Sequence, residues 1–156
     1  MSPPPRRGRA LRYHVRVDTK SLTVRDVMTA DPLTLDPEET LMRAVEVMRM
    51  RGIRRIPVVL AGMLVGLLAE GDLKRAQPST LSESQEDFNR VMEETQISRI
   101  MIQNPVTTTP GTPLLEAAKL LFGTKYGALP VVEDGRVVGI LTDNDLIGAL
   151  VRVLET

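Results

Sequence analysis

The chain repeats itself. Residues 24–73 align with residues 97–146 without a gap, at a constant offset of 73. Met28 meets Met101, Pro32 meets Pro105, Pro37 meets Pro110 and Leu41 meets Leu114. Pro57-Val58-Val59 meets Pro130-Val131-Val132, Val65-Gly66 meets Val138-Gly139, and Asp72-Leu73 meets Asp145-Leu146. A fixed period of this kind means that one supersecondary unit is used twice, and that neither copy need bury its apolar face alone.

Each copy reads as β-α-β-β-α, giving a mixed α/β (α+β) fold. Leu33-Thr34-Leu35 and Val106-Thr107-Thr108, each after a proline, predict short strands. Leu41, Ala44, Val45 and Met48 recur at helical spacing, as do Leu114, Ala117, Ala118 and Leu121. Thr112 followed by Pro113 predicts an N-cap and a first-position proline. Two strands follow in each copy, Ile56–Leu60 with Leu64–Leu68 and Leu129–Val132 with Val137–Leu141. Asp134-Gly135 joins the second pair, a hairpin signal because both turn positions want positive φ. Ala61-Gly62 holds that place in the first copy, a weaker turn. The strands are almost continuously apolar, which predicts burial on both faces. A second short helix is expected to start near Asp72 and near Asp145.

A unit of about 50 residues is small for an independent core, so the two sheets are expected to pack against each other. Between the copies, residues 77–96 form a linker in which Ser84–Thr95 predicts a helix with Phe88, Val91 and Met92 on one face. The expected organisation is a flexible basic tail at 1–20, one repeat at 21–76, the linker, and a second repeat at 97–154. The tail carries six basic residues against the single acid Asp18. Tyr13–Val17 within it is a candidate added strand.

Several function classes are unsupported. Lys+Arg and Asp+Glu both number 20, so no global field steers the chain onto nucleic acid or membrane. There is no tryptophan, with two Phe and two Tyr, so stacking platforms for single strands are nearly missing. No apolar run approaches a membrane span, and no signal-peptide pattern opens the chain. The absence of cysteine excludes disulfides and thiolate metal sites and fits a cytoplasmic protein. His14 is the sole histidine, so catalytic triads and histidine metal clusters lack their parts. There is no phosphate-binding glycine loop. The eight methionines read as core filler.

The segments VMTADPLTLDPEETL, GIRRIPVV and LVGLLAEGDL, with IMIQNPVTTTPGTPL and KYGALPVVEDGRVVGILTDNDL, resemble CBS domains over roughly residues 22–152. Within that family the chain is similar to small bacterial CBS pairs of the acetoin-utilisation type. The resemblance implies tandem repeats that pack through their strands as a pseudo-twofold pair, often a homodimer of such modules, and clefts that bind AMP, ADP, ATP, S-adenosylmethionine or cyclic di-AMP. It implies a regulator and not an enzyme, with no cofactor beyond the nucleotide and a magnesium ion accompanying ATP. The expected partners are an adenine nucleotide, a second copy, and a regulated enzyme or transporter in trans.

By the same resemblance Asp145 holds the ribose hydroxyls and Thr142 contacts ribose or phosphate. The chemistry agrees, since a carboxylate can accept from both vicinal hydroxyls and helix N-termini attract phosphate. An N-cap role is the competing reading. Asp72 is the first-copy equivalent, but Ala69 replaces the hydroxyl and Glu70 adds negative charge, so that site reads as weak or vacant. Arg54 and Arg55 precede Ile56 and Pro57, where guanidinium groups suit phosphate. A solvated basic patch is the alternative. Gly127 and Ala128, before Leu129 and Pro130, take that place in the second copy and could let a base approach the backbone. One arrangement has Arg54 and Arg55 reaching across to a ligand held by Asp145. Leu33 and Val106, beside Thr34 and Thr107, would line the base, or else are plain core. A dimerisation module with empty clefts is the competing function, and DNA binding by the basic tail a third.

Overall fold

The structure is a computed structural model that describes residues 18–79 and 84–156. The candidate strand Tyr13–Val17 lies outside the described residues. Both predicted hairpins form. The first pairs β2 (Arg55–Leu60) with β3 (Met63–Ala69), and the second pairs β5 (Ala128–Glu133) with β6 (Arg136–Thr142). Ala61 and Gly62 have φ of 49° and 81°, Asp134 and Gly135 have φ of 52° and 77°. The two turns therefore share one backbone form, although alanine carries a steric cost there that Asp-Gly avoids.

The helices fall where the apolar periodicity puts them: α2 (Leu41–Arg51), α4 (Gln85–Glu94) and α5 (Leu114–Gly123). Thr40 caps α2 by accepting from the Arg43 N–H at 3.1 Å, and Ser84 caps α4 by accepting from the Asp87 N–H at 3.1 Å. The face that α2 buries is Leu41, Ala44, Val47 and Met48, with Val45 half-buried beside it. Thr112 does not cap α5. Its hydroxyl lies 2.7 Å from that of Thr109, and Pro113 is the N-cap residue. No helix among the described residues is long and apolar enough to cross a membrane.

The third strand of each sheet comes from the other repeat. The two-residue β1 (Thr29–Ala30) pairs antiparallel with β6, setting Thr29 opposite Ile140 and Ala30 opposite Gly139. Its counterpart β4 (Ile102–Gln103) pairs with β3, setting Gln103 opposite Gly66 and Ile102 opposite Leu67. The short helix α1 (Val24–Val27) goes with β1, so Val24 is buried among Ala117, Leu121, Leu129, Val131 and Leu141. In the same way Ile97, in a 3-10 turn (Ile97–Arg99), packs into the first core beside Leu41, Ile56 and Leu68. The predicted strands at Leu33–Leu35 and Val106–Thr108 shrink to single parallel bridges, Leu35 with Val58 and Thr108 with Val131.

Glycine in β3 and β6 makes the exchange sterically possible. A methyl group built on Gly139 would stand 2.5 Å from the Met28 sulfur and 3.1 Å from the Thr29 carbonyl oxygen. At Gly66 it would meet the Met101 sulfur and the Ile102 carbonyl at 2.5 and 3.0 Å. A side chain at either position would press on the methionine and on the crossing backbone, which glycine avoids. A third, smaller core of Leu67, Ala128 and Ile140 lies between the two sheets, with Ile102 and Tyr126 packed on it. The burial that neither repeat achieves alone is completed there.

Candidate functional site

The helix that closes each repeat begins two residues before the expected aspartate, α3 (Glu70–Ala76) after Ala69 and α6 (Asp143–Glu155) after Thr142. Asp72 and Asp145 are therefore third helical residues, and neither is an N-cap. For α6 the result is a capping box. The Thr142 hydroxyl accepts from the Asp145 N–H at 3.1 Å, and the Asp145 carboxylate accepts from the Thr142 N–H at 3.0 Å. In α3 the N-cap is Ala69, which has no side-chain oxygen to offer, and one half of that box cannot form.

Two clefts open at these helix N-termini, at equivalent places in the pseudo-symmetric pair. The larger is a cavity of about 670 Å³ containing Thr142, Asp143, Asn144 and Asp145 from the second repeat. Asp31, Pro32, Leu33, Arg51, Gly52, Ile53, Arg54 and Arg55 of the first repeat form its opposite wall, and Thr29 stands beside Ile140 on the exchanged strand. The smaller, about 530 Å³, holds Ala69, Glu70, Gly71 and Asp72 facing Ile102, Lys125 and Tyr126, again with Arg54 and Arg55. The arginine pair thus sits between the clefts, and the expected juxtaposition of Arg54 and Arg55 with Thr142 and Asp145 is present in the first of them.

The two arginines are not equivalent. Arg55 is mostly buried and its fork grips Asp143, at 3.1 Å and 3.2 Å, while its Nε–H donates to the Tyr126 carbonyl at 3.1 Å. A bidentate arginine–carboxylate pair is a rigid contact, and here it ties the two repeats together. Arg54 is exposed and no carboxylate among the described residues is paired with it.

The two aspartates differ as much. Asp145 also accepts from the Thr29 hydroxyl, at 3.1 Å to one oxygen and 3.4 Å to the other. Asp72 has no hydroxyl neighbour of this kind. Arg75, one turn on in α3, holds one of its oxygens, and the other is buried without a hydrogen-bond partner. Beside it the Lys74 ammonium, hydrogen-bonded to Glu70, holds the Glu70 carboxyl below its usual range, with Arg54 and Arg55 adding to the effect. Glu70 is therefore ionised near neutral pH, and it stands with Asp72 in a cleft that Arg54, Arg55, Arg75 and Lys125 also line. Tyr126 lines the same cleft, and its hydroxyl accepts from the Val106 N–H at 3.0 Å. Ile53, at the matching place in the other cleft, has no hydroxyl with which to make such a bond.

The remaining sequence candidates scatter. Leu33 lines the larger cleft, whereas Val106 is 42% exposed and lines neither. Thr34 and Thr107 are on neither wall. Ile56, Pro57, Ala128, Leu129 and Pro130 are buried in their strands, so only their backbone could face a ligand. The space over Gly127 is already filled: a methyl there would lie 2.5 Å from Arg55 Nη2 and 2.8 Å from Asp143 Oδ2. Sequence reasoning missed Thr29, Asp143, Ile53 and Tyr126. The repeat alignment held a signal for Thr29, which is matched by the apolar Ile102.

Comparison with known proteins adds to this geometry. The family profile described as the CBS domain matches residues 24–79 and again 97–152. A CBS domain-containing protein of Dictyostelium discoideum is 38% identical over 135 residues, 85% of this chain and 93% of its own length. Among solved structures, an acetoin utilization protein, AcuB, from Vibrio cholerae is 32% identical with a TM-score of 0.73, covering 86% of this chain and 96% of that one. CBSX2 in complex with AMP is 28% identical with a TM-score of 0.70, covering 85% and 98%. The CBS domain pair of protein MJ0100, in complex with 5′-methylthioadenosine and S-adenosyl-L-methionine, is 26% identical with a TM-score of 0.70, covering 84% and 97%.

Proposed function

The chain belongs to the CBS domain family, and from that premise we propose that it is a regulatory sensor that binds an adenine nucleotide in the Asp145 cleft. One observation carries the reading. A carboxylate fixed at a helix N-terminus shares a cleft with apolar Leu33 and Ile53 and with the uncommitted Arg54, all three on the facing wall. Those three elements match a ribose diol, a purine and a phosphate in turn. The ligands named for the structural neighbours, AMP, S-adenosyl-L-methionine and 5′-methylthioadenosine, all contain adenosine.

The reading is of a binding module that acts on an enzyme or transporter in trans. Calorimetric titration of the full chain with adenosine, AMP, ADP, ATP with Mg²⁺, S-adenosylmethionine and cyclic di-AMP tests it. The expected result is saturable binding of at least one adenosyl ligand at one equivalent per chain. Arg54→Ala is expected to cost a phosphorylated ligand on the order of tenfold in affinity and adenosine little, because only the phosphate meets the guanidinium. Heat for none of these ligands would leave a structural dimerisation module as the better account.

A homodimer is part of the proposal. Phe122 is 94% exposed and Leu115 69% on α5, and Ile147, Leu150, Val151 and Leu154 are exposed along α6. Six exposed large apolar side chains on two helices are more than a monomer ordinarily leaves in water. Light scattering at micromolar concentration is expected to give twice the 17.2 kDa chain mass, and Phe122→Glu to shift it toward one. A monomeric mass for the unmodified chain would refute the dimer.

A further inference from the structure

We propose that Thr29 is the positioning residue for the Asp145 carboxylate, and that isoleucine at its counterpart, Ile102, helps to leave the second cleft without a ribose grip. The inference rests on the adenine-nucleotide reading of the Asp145 cleft and assigns a role to a residue of the opposite repeat.

The geometry is a matter of counting lone pairs. An ionised carboxylate offers about four acceptor sites. In Asp145 the Thr142 N–H takes one on Oδ2, and the Thr29 hydroxyl takes one at 3.1 Å on Oδ1 while reaching 3.4 Å to Oδ2. The group is thus held from both sides in one rotamer, with room for about two further donors. A ribose brings two adjacent hydroxyls. The strand that delivers Thr29 is short but well placed, because its register sets Thr29 opposite Ile140, two residues before Thr142.

The second repeat supplies the natural contrast. Ile102 stands opposite Leu67, two residues before Ala69, so the same exchange of strands brings a hydrocarbon to the place where Thr29 brings a hydroxyl. With neither Thr29 nor Thr142 matched, Asp72 is held by Arg75 instead, and its other oxygen is buried without a partner. The two clefts therefore differ in two hydroxyls contributed by two different repeats, and the difference converges on one carboxylate in each.

The test compares adenosine with 2′-deoxyadenosine, each titrated calorimetrically into the full chain and into Thr29→Val and Thr29→Ser. Valine keeps the β-branched shape at an exposed strand position, so the fold is retained. The unmodified chain is expected to prefer adenosine. Thr29→Val should weaken adenosine by about five- to tenfold and the deoxy compound much less, collapsing the preference, and Thr29→Ser should restore it. A purely structural role would weaken both compounds alike and would overturn the assignment. An unchanged adenosine affinity in Thr29→Val would overturn it as well. Binding of neither compound, nor of any phosphorylated adenosine, by the unmodified chain would instead remove the nucleotide reading and this proposal with it.

Discussion

Asp145→Ala is expected to reduce the affinity for adenosine or AMP by tenfold or more, and Asp72→Ala to leave it within about threefold. Hydrogen bonds to a charged group are worth on the order of 1.5–3 kcal/mol, and 1.4 kcal/mol is a factor of ten in affinity. Asp145 is positioned by Thr142 and Thr29, whereas Asp72 is engaged by Arg75 beside an ionised Glu70. The alanine also removes half of a capping box, which costs on the order of 1 kcal/mol of stability whatever binds. Asp145→Asn separates the two effects, since its amide oxygen can still accept from the Thr142 N–H while the negative charge is gone. Thermal shifts give an independent readout. A ligand at a hundred times its Kd stabilises the folded state by about 2.7 kcal/mol, and that gain should vanish in Asp145→Ala and persist in Asp72→Ala. The reverse order, with Asp72 essential and Asp145 dispensable, would place the nucleotide in the Asp72 cleft instead.

Leu67→Ala is expected to destabilise the whole chain by about 2–5 kcal/mol, lowering Tm by roughly 5–20 °C in a single transition. Leu67 is fully buried, and it lies between the sheets with Ala128 and Ile140 instead of inside either repeat's own core. Each sheet also borrows a strand and each core an apolar residue from the other repeat, Val24 in one direction and Ile97 in the other. Neither repeat can then keep its structure once the other is lost, which makes the unfolding cooperative. Two resolved transitions by calorimetry, or a loss below about 1 kcal/mol as for an ordinary surface change, would contradict the idea that the joint is a core.

Much of this architecture is legible in the residues. The gapless repeat, the Asp-Gly and Ala-Gly turns and the helical spacing from Leu41 and Leu114 each follow from local chemistry, and each appears within a residue or two of its expected place. The two aspartates and the Thr142/Ala69 asymmetry are visible for the same reason, because a hydroxyl three residues before a carboxylate is a local pattern. The misses are of another kind. A two-residue strand such as Thr29–Ala30 has too few positions to show a period of two, so no pattern announces it. Leu33–Leu35 does look like a strand, yet only Leu35 finds a partner, since the neighbouring edge is met at a single point.

The sequence by itself determined that this chain is one unit used twice, which elements that unit contains, and that its two aspartates stand in unequal surroundings. These depend on contacts within a few residues, where propensity and periodicity decide the energy. Only the tertiary structure decided which residues surround each aspartate. Thr29 reaches Asp145 across 116 positions and Arg55 reaches Asp143 across 88, while Arg75, a single turn from Asp72, takes the carboxylate that no hydroxyl claims. Thr29 comes within reach because glycine at Gly139 admits the crossing strand, and Arg55 because a mostly buried guanidinium needs acceptors, which Asp143 and the Tyr126 carbonyl of the other repeat supply. Such partners are chosen by closure of the two sheets on each other, a condition on the whole chain that no short stretch of it carries.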